Sequence, residues 1–595
     1  MARDALVVGA GGGGPVVAKE LAARGLDVPL LEAGPHYDDP ERQWTHLEDD
    51  ANNPLTGFLR FGPGDRSKPA WYRETPQNSF LWQLAGVGGT TLHYYGNCPR
   101  AVPGVFAGYE GADAGAYDAA HRFPFTYEEL IPYFEWVERT LPVQTAAMGT
   151  KEETFFAGAA GMGLPVNATK HITQDSFRPQ ENAILQPSGA AGLITETVGN
   201  VQELAHPNAR GCTFCGYCFQ GCYEAPGAPI NLKAKRSTNV SYVPMALTAD
   251  RWAAAGRAVM LRPNAFATRI HTGTEGAETV ATAVTWRDTA TGEQITEEAR
   301  VVVMAAGCTE NPRLWFNSGL PDPNGWVGRG YTDHFFDWVV GVFPFDTGSS
   351  KGVGSSARCD FPGLGGLENV GLPPALQAFS LTFSESGIQG YYENGRGPTG
   401  PWDGAAGRVV GPALKDMLSN IDRLLNVLVI TDDDVEAQNR VVLSALNADE
   451  HGPVAKVEFH ARERTARTLA NREALARRAA ELLRAAGAVR VHRMDWPPLI
   501  LHVQSTMRMG ASDADSVLDE NAEARWVRRL FVADNSALAN ALGGPNPTLT
   551  SQALATRTAE RIFQQYFGGD PWVGAESPVS SIDDVVTDAV TAAGL

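Results

Sequence analysis

Near its N-terminus the chain reads ALVVGAGGGGPVVAKELAARGLDVPLLE, residues 5–32. The short apolar run Ala5–Val8 predicts a strand, and the glycines Gly9–Gly14 predict a tight turn. A helix is predicted at Pro15–Arg24, because proline suits the first turn of a helix. A second strand is predicted at Val28–Leu31. This succession of strand, glycine turn, helix and strand indicates an α/β protein with a parallel sheet.

The glycine turn matches the pattern G-x-G-x-x-G at Gly9, Gly11 and Gly14. The first glycine permits the turn, the second lets a pyrophosphate approach the backbone, and the third lets the helix pack on the strand. The helix N-terminus offers unpaired N–H groups to phosphates. Glu32 ends the second strand, where it can accept a hydrogen bond from a ribose hydroxyl. We therefore expect a bound dinucleotide, although the motif alone leaves FAD and NAD open.

Composition indicates a globular protein with more than one domain. The 595 residues exceed what one hydrophobic core usually serves. The net charge of −19 argues against a general affinity for nucleic acid or anionic membranes. No apolar run approaches the ~20 residues of a membrane span, and no secretory signal is visible. A cytoplasmic location is therefore expected, unless a partner subunit carries the chain out.

The middle of the chain shows a different pattern. Residues 340–460 mix short alternating segments with turn residues, which predicts an antiparallel sheet. Residues 461–486 predict a long helix whose arginine-rich face is either solvated or binds a polyanion. Strand and helix patterns then return, so we expect discontinuous domains. They are a nucleotide-binding domain of residues 1–110, 200–335 and 496–570, a substrate-binding domain of residues 111–199 and 336–495, and a surface tail of residues 571–595.

Five further segments carry a family resemblance. They are VGGTTLHYYGNCPR (Val87–Arg100), AAGCTENPRLWFNSG (Ala305–Gly319), VGRGYTDH (Val327–His334), LHVQSTMRMGASDADSVLDENAEARW (Leu501–Trp526) and RRLFVADNSALANALGGPNPTLTSQALATRTAERI (Arg528–Ile562). Together with the glycine turn, they resemble the glucose–methanol–choline (GMC) oxidoreductases along most of the chain. The resemblance implies FAD as the dinucleotide. It also implies a Rossmann-type FAD-binding domain with an inserted substrate domain of antiparallel sheet plus helix.

The resemblance implies catalytic roles for His502 and Asn546. In such enzymes a hydride moves from the carbinol carbon to flavin N5 while a histidine takes the hydroxyl proton. An imidazole with an ordinary pKa near ~6.5 suits that task. Asn546 matches a position that is His or Asn in the family, where an amide can hydrogen-bond the same oxygen. Ser505 replaces the usual glycine of H-x-x-G-T, a departure expected to tighten the backbone beside the flavin.

The same resemblance implies residues around the cofactor. Asp534 matches a position that meets the ribityl or pyrophosphate part of FAD. His93 lies near the position where pyranose 2-oxidase-like members attach FAD covalently, and where related sugar dehydrogenases carry a histidine without that link. Both alternatives stay open for His93. The other candidate cofactor contacts are Gly88, Gly89, Pro547 and Thr548.

Four of the seven cysteines lie together, at Cys212, Cys215, Cys218 and Cys222. Their spacing is that of bacterial ferredoxin motifs, except that Tyr223 replaces the following proline. This predicts a [3Fe–4S] or [4Fe–4S] cluster. The resemblance adds that related bacterial sugar dehydrogenases bind a [3Fe–4S] cluster through three cysteines, spaced like Cys212, Cys218 and Cys222. Structural cysteines and a zinc site are the alternatives.

The leading hypothesis is a dehydrogenase that passes electrons from an alcohol or sugar through the cluster to a cytochrome, quinone or carrier protein. An oxidase that uses O2 and releases hydrogen peroxide is the alternative. The cysteines argue against a non-redox enzyme of the hydroxynitrile-lyase type. The intact His502 and Asn546 argue against a non-catalytic flavoprotein. Five aromatic residues of the inserted domain either stack on a sugar or belong to its core, namely Phe379, Phe383, Tyr391, Tyr392 and Trp402.

Overall fold

The computed structural model describes residues 2–36, 80–81, 83–146, 148–167, 169–186, 211–212, 214–220, 222, 229–383, 399–404, 409–460, 463–494 and 499–595. The strands are β1 (Arg3–Val8), β2 (Pro29–Leu31), β3 (Phe80–Leu81), β4 (Gln144–Thr145), β5 (Ser176–Pro179), β6 (Glu181–Asn182), β7 (Met260–Arg262), β8 (Ala265–Glu275), β9 (Glu278–Asp288), β10 (Gln294–Met304), β11 (Asp337–Val342), β12 (Ala357–Phe361), β13 (Gly365–Val370), β14 (Leu424–Thr431), β15 (Arg440–Asp449), β16 (Gly452–Glu458), β17 (Arg490–Arg493), β18 (Leu499–Ile500) and β19 (Leu530–Val532).

The helices are α1 (Gly14–Ala22), α2 (Tyr127–Thr140), α3 (Thr150–Gly161), α4 (Tyr242–Leu247), α5 (Ala249–Trp252), α6 (Gly307–Ser318), α7 (Pro374–Phe383), α8 (Gly411–Ser419), α9 (Ala466–Ala485), α10 (Thr548–Phe567) and α11 (Asp584–Ala593). Within these described parts of the chain, no helix has both the length and the apolar character needed to cross a membrane.

A parallel sheet is built around β1, which lies between β2 and β10. Val7 of β1 pairs with Leu30 on one side and with Val303 on the other. The sheet continues in parallel through β7 beside β2, and through β19 beside the carboxyl half of β10. The amino half of β10 pairs instead with β9, and β9 with β8, in an antiparallel extension. The predicted α/β class is confirmed.

The glycine turn sets how closely α1 packs on this sheet. A Cβ atom at Gly9 would lie 2.2 Å from the carbonyl oxygen of Ala305, at the end of β10. A Cβ atom at Gly14 would lie 1.9 Å from the carbonyl oxygen of Gly9. Gly9 also has φ of 105°, a conformation that other residues rarely adopt. Any side chain at these two positions would therefore push β1, β10 and α1 apart.

The second sheet has the strand order β17-β11-β14-β13-β12-β5, and every neighbouring pair is antiparallel. Its central strand β14 reads LLNVLVIT and is buried along its whole length. Alternate residues face opposite sides, so one apolar set packs on α9 and the other on α7 and α8. Both faces are covered, which explains why the strand has no polar alternation. The antiparallel sheet predicted for the middle of the chain is confirmed, whereas the domain boundaries stay a prediction.

The arginines of α9 bind carboxylates of this same region. Arg467 pairs with Asp432 at 2.9 Å and with Asp434 at 2.5 Å, and Arg472 lies 3.5 Å from Asp337 of β11. Arg477, Arg478 and Arg484 of the same helix are 41%, 33% and 35% exposed. The face is therefore solvated in part, as one of the two interpretations expected, and in part attaches the helix to the sheet.

The aromatic residues of the inserted domain have different positions. Trp402 is buried, and the guanidinium of Arg493 lies 4.8 Å from its ring centre, so Trp402 belongs to the core. Phe379 and Phe383 lie in α7. Tyr391 and Tyr392 lie outside the described residues.

The C-terminal segment differs from the predicted surface tail, because it ends in the packed helix α11. Val586 and Val590 are fully buried against Met245 of α4 and Ile230. These valines are spaced four residues apart, which places them on one face of a helix. The Asp583 side chain caps the helix by accepting a hydrogen bond from the Val585 N–H at 3.1 Å. The apolar spacing of this short acidic segment was the available signal for a helix.

A matched pair of glycine substitutions tests the close packing at the turn. We expect Gly14→Ala to lower the thermal melting midpoint of the ligand-free protein by several degrees, since overpacking costs roughly 1–3 kcal/mol. Gly11→Ala is the control, because a Cβ atom there would meet no atom within 4 Å. Its melting midpoint should match that of the wild type. Equal melting midpoints for the two variants would contradict the packing described here.

Candidate active site

A cavity lies at the carboxyl ends of the parallel strands, which is where nucleotides bind in such sheets. Its walls come from segments that are far apart in the chain. They include Gly11–Gly13, Glu32, Gly89–Thr91, Ala305–Cys308 and Asp534–Asn535. The cavity therefore gathers candidate cofactor residues from several of the sequence motifs.

Gly11 is the glycine that leaves space in this cavity. A Cβ atom there would meet nothing, whereas a Cβ atom at the neighbouring Gly13 would lie 1.8 Å from the carbonyl oxygen of Ala533. Helix α1 begins directly afterwards, at Gly14. A phosphate against Gly11 would therefore lie at a helix N-terminus, whose partial positive charge and unpaired N–H groups favour anions.

A second glycine segment packs against the first. Gly88 donates its backbone N–H to the Ala10 carbonyl oxygen at 2.8 Å, and a Cβ atom at Gly89 would lie 2.7 Å from the Cα atom of Gly11. The Thr238 hydroxyl donates to the Gly11 carbonyl oxygen at 2.8 Å. Gly89 lines the cavity, and Gly88 supports the turn from behind.

Glu32 lies on the cavity wall with its carboxylate held by backbone donors. Its two oxygens accept hydrogen bonds from the N–H of Ala10 at 2.8 Å and of Gly34 at 2.9 Å. Burial raises the pKa of this carboxyl to about 7 in spite of those bonds. A ribose hydroxyl that donates to Glu32 would further stabilise its charged form. Its role in binding ribose stays a prediction.

Asp534 connects β19 with the start of α6. One carboxylate oxygen accepts hydrogen bonds from the Gly307 N–H at 2.7 Å and the Asn311 side chain at 2.8 Å. The other oxygen accepts from the Ser536 N–H at 2.8 Å and from its hydroxyl at 2.5 Å. Burial raises the pKa of the Asp534 carboxyl. The residue lines the cavity and fixes the loop around it.

The long helix α10 brings a second helix N-terminus to the cavity. The helix starts at Thr548 after the N-cap residue Pro547, and Thr548 and Ser551 both line the cavity. A dinucleotide has two phosphates, which bind well to helix N-termini and backbone N–H groups. The cavity offers both, together with the open space at Gly11. The residues present therefore fit FAD, although the contact assigned to each one stays a prediction.

His502 and Asn546 meet next to this cavity. Asn546 Nδ2 lies 3.5 Å from His502 Nε2, and Leu501 and Val503 on either side of the histidine line the cavity. Burial, followed by the neighbouring His334 and Arg358, holds the pKa of His502 well below its usual value. The structure thus brings together the two residues that the resemblance selects.

The amide of Asn546 is oriented by two buried charged residues. Arg358 donates to Asn546 Oδ1 at 3.2 Å, and the Asn546 side chain also hydrogen-bonds the Glu368 carboxylate. Arg358 is fully buried and pairs with Glu368 at 3.1 Å and with Asp360 at 2.7 Å. A donor next to Oδ1 and an acceptor on the other side select one amide orientation. Neither Arg358 nor Glu368 belongs to a motif recognised in the sequence.

His334 is a site residue to which the sequence assigned no role, although it ends the VGRGYTDH segment. Its Nδ1 lies 3.0 Å from Nδ1 of His502, and the two rings meet edge to face with their centres 5.1 Å apart. Its Nε2 lies 2.8 Å from the carbonyl oxygen of Ala541. The ring of Phe336 also packs edge to face on His502, with ring centres 5.0 Å apart.

The backbone conformation of Ser505 explains why the H-x-x-G-T pattern has glycine at this position. Its φ is 72°, in the left-handed region that glycine adopts without strain. Its N–H donates to the Asn535 carbonyl oxygen at 3.1 Å, which joins the histidine segment to the loop after Asp534. A non-glycine residue held in this conformation costs of order 1–3 kcal/mol. The departure thus strains the backbone beside the site.

His93 follows the cavity-lining residues Thr90 and Thr91. Its Nδ1 lies 2.9 Å from the Phe219 carbonyl oxygen, which can only accept, so this ring nitrogen carries the hydrogen. Burial lowers the pKa of His93 to about 4. Phe219 belongs to the cysteine segment, so that segment contacts the glycine loop of the cavity. The contact of His93 with the cofactor, with or without a covalent link, stays a prediction.

Within the described part of the chain no disulfide joins the cysteines. Cys218 is buried, which raises the pKa of its thiol, and Cys212 and Cys222 pack against the same apolar cluster. Across the residues whose placement is described, which include the four clustered cysteines, no three His, Cys, Asp or Glu side chains form a metal-ligand group. The described arrangement does not support an iron–sulfur cluster or a zinc site.

Comparison with known proteins identifies the family. Models described as GMC oxidoreductase match residues 195–336 and 435–555. The chain is 27% identical to 2-methyl-1,2-propanediol dehydrogenase of Mycolicibacterium austroafricanum, over 95% of both chains. It is 25% identical to 6'''-hydroxyparomomycin C oxidase of Streptomyces lividus, over 94% of this chain and 91% of the other.

Its fold is similar to that of formate oxidase from Aspergillus oryzae, with a TM-score of 0.58, 13% identity and coverage of 95% of this chain and 99% of that one. The motifs, the assembled cavity and these matches agree. The chain belongs to the GMC oxidoreductase family.

Proposed function

We propose that this chain is an FAD-dependent dehydrogenase that oxidises an alcohol or sugar hydroxyl to a carbonyl and passes the electrons to an external acceptor. The observation that carries the proposal is the contact of His502 Nε2 with Asn546 Nδ2 at 3.5 Å, beside a cavity that fits a dinucleotide. The relative that acts as a 2-methyl-1,2-propanediol dehydrogenase supports the substrate class.

His502 accepts the hydroxyl proton of the substrate at Nε2. The low pKa of its ring keeps it neutral near pH 7, so it is ready to take a proton. Asn546 donates an N–H to the same substrate oxygen and, having no proton affinity of its own near neutral pH, does not compete for the proton. Together these two groups hold the hydroxyl in one orientation while negative charge develops on its oxygen.

Arg358 supports this pair electrostatically. Its guanidinium is fully buried and in contact with Asn546, so its positive charge lies close to the oxygen that loses the proton. Glu368 and Asp360 neutralise it in the resting protein, which makes burial of the charge tolerable. The cluster keeps the amide in place without binding the substrate itself.

FAD, when bound, supplies the acceptor for the hydride that leaves the carbinol carbon. Gly11 and the N-terminus of α1 would hold its pyrophosphate, Glu32 its ribose, and Asp534 and Thr548 the part nearer His502. These assignments follow from the positions of the residues along the cavity wall.

The electrons must pass from the reduced flavin to the external acceptor. No step is assigned to an iron–sulfur cluster, because the described cysteines do not form a metal-ligand group. Iron and acid-labile sulfide measured on anaerobically purified protein decide this point. About three or four irons per chain would restore the cluster as the electron route, whereas iron-free flavoprotein would leave the cysteines structural.

The base is tested by His502→Gln. We expect the rate of flavin reduction to fall by about 10²–10⁴-fold, since that is the usual contribution of a general base. The measurement is stopped-flow flavin bleaching under anaerobic conditions, with a substrate panel that starts from 2-methyl-1,2-propanediol and includes aldoses and ketoses. His460→Gln is the matched control, because that side chain is 43% exposed and lies 3.6 Å from Glu463 at the surface. Similar rates in both variants would remove His502 from the mechanism.

The pH dependence follows from the direction of the His502 shift. A lowered pKa means that the ring loses its proton, and becomes a competent base, at a pH below 6.5. We therefore expect the second-order rate constant of flavin reduction, measured at low substrate concentration, to stay constant from about pH 6.5 upward until another group titrates. It should fall only in more acidic buffer. An acidic limb centred above pH 6.5 that is absent from His502→Gln would contradict the described environment.

The acceptor is tested by reoxidation of the substrate-reduced enzyme. We expect the artificial two-electron acceptor dichlorophenolindophenol to reoxidise it at least tenfold faster than air-saturated buffer does. The faster rate with oxygen, together with stoichiometric hydrogen peroxide, would instead support an oxidase, the activity named for the Streptomyces relative.

A further inference from the structure

His334 and His502 form an imidazole pair whose hydrogen positions can be deduced. The two Nδ1 atoms are 3.0 Å apart, a distance that requires one of them to donate and the other to accept. Neutral histidine has one ring N–H, so the question is which ring supplies it. The answer decides whether His502 Nε2 is free to take a proton.

The second nitrogen of His334 settles the donor. Its Nε2 lies 2.8 Å from the Ala541 carbonyl oxygen, and a carbonyl oxygen can only accept, so this nitrogen must carry a hydrogen. The Gln504 amide nitrogen also lies 3.0 Å from this atom and donates one of its two hydrogens to the His502 carbonyl oxygen at 3.0 Å. The other end of the pair agrees with the Ala541 contact, because Asn546 Nδ2 can only donate and lies 3.5 Å from His502 Nε2, which must then accept and be bare. The reverse assignment would leave the Ala541 oxygen facing a ring lone pair at 2.8 Å.

The remaining hydrogen positions follow in order. Burial lowers the pKa of His334 to about 3, so its ring is neutral and its Nδ1 is bare. His334 Nδ1 must then accept, and His502 Nδ1 must donate. The hydrogen of neutral His502 is therefore on Nδ1, and its Nε2 presents a lone pair toward Asn546.

We propose that His334 is a positioning residue that accepts a hydrogen bond from His502 Nδ1 and thereby holds His502 in the tautomer whose Nε2 receives the substrate proton. This inference rests on the proposed function for the identity of the base. His334 itself touches neither the substrate oxygen nor the cofactor cavity; it acts through His502. When His502 gains the proton at Nε2, its Nδ1–H bond to His334 strengthens, because a charged donor makes a stronger hydrogen bond.

The backbone around His334 is strained in a way that serves this geometry. His334 has φ of 66° and Phe335 has φ of 28°, both in the region that side chains disfavour. Neighbouring hydrogen bonds hold the segment there: Thr431 N–H donates to the His334 carbonyl oxygen at 2.8 Å, and Phe335 N–H donates to the Asp333 carboxylate at 3.0 Å. Strain that the surroundings maintain is found where a side chain must be aimed.

Two substitutions separate the functions of the two ring nitrogens. An asparagine amide reaches the place of Nδ1, so His334→Asn keeps an acceptor for His502 and loses the bond to Ala541. A glutamine amide reaches the place of Nε2, so His334→Gln keeps the bond to Ala541 and loses the acceptor. We expect flavin reduction to fall by less than about tenfold in His334→Asn and by about 10²–10⁴-fold in His334→Gln, as for a base held in the wrong tautomer, with KM little changed.

The tautomer is measured directly on flavin-loaded protein with ¹⁵N-labelled histidine. Long-range ¹H–¹⁵N spectra distinguish a protonated from a bare ring nitrogen, and the His502 signals are those lost in His502→Gln. We expect a bare Nε2 in the wild type and in His334→Asn, and a protonated Nε2 in a substantial fraction of His334→Gln. A protonated Nε2 in the neutral wild-type ring would overturn the inference, as would His334→Gln with wild-type spectra and rates.

The spectra require no turnover, so they remain decisive if a variant is inactive. They also separate two kinds of failure. A wild-type protein that oxidises none of the panel but shows the expected bare Nε2 would count against the proposed function and leave the tautomer assignment in place. A wild-type protein that oxidises alcohols with Nε2 protonated would keep the function and remove the role of His334.

Discussion

The structure depends on a close approach of backbone at the first turn of the chain. Gly14 lies against the Gly9 carbonyl, and Gly13 lies against the Ala533 carbonyl that follows β19. One short turn therefore touches the strand before it, the helix after it and a strand from the far end of the chain. No side chain can enter any of these contacts. These backbone contacts of the glycine turn, called the crossing below, fix the positions of the elements around the cavity.

The active site is built outward from that crossing by loops that follow buried elements. Asp534 follows β19 and accepts a hydrogen bond from the start of α6. Ser505 donates its N–H to the loop after Asp534, so the segment that contains His502 is attached to the parallel sheet. The antiparallel sheet supplies the rest, because Arg358 lies in its strand β12 and orients Asn546 just before α10. The candidate pair of His502 and Asn546 is thus held by hydrogen bonds that start from both sheets of the protein.

The sequence predicted what short-range patterns encode. The βαβ start, the packing roles of Gly9 and Gly14 and the antiparallel middle region are local features, and the pair His502 and Asn546 is marked by its motifs. It did not predict the contact of His334 with His502, which are 168 residues apart, or the buried cluster of Arg358. Such contacts depend on how whole elements pack, and a single charged residue in a strand carries no signal of its partner. For α11, the few valines among acidic residues hid an amphipathic face. For the cysteines, the spacing fits a cluster that the described positions do not form.

The order of the strands in the parallel sheet has a consequence for biosynthesis. β1 leaves the ribosome first but acquires its partner β10 only when residue 304 has been made, and β19 completes the sheet only after residue 532. Until then the nascent chain presents strand edges with unpaired N–H and C=O groups, which other chains can pair with. Pairings so distant in sequence also form slowly. The growing chain therefore needs protection from association until these distant strands have paired.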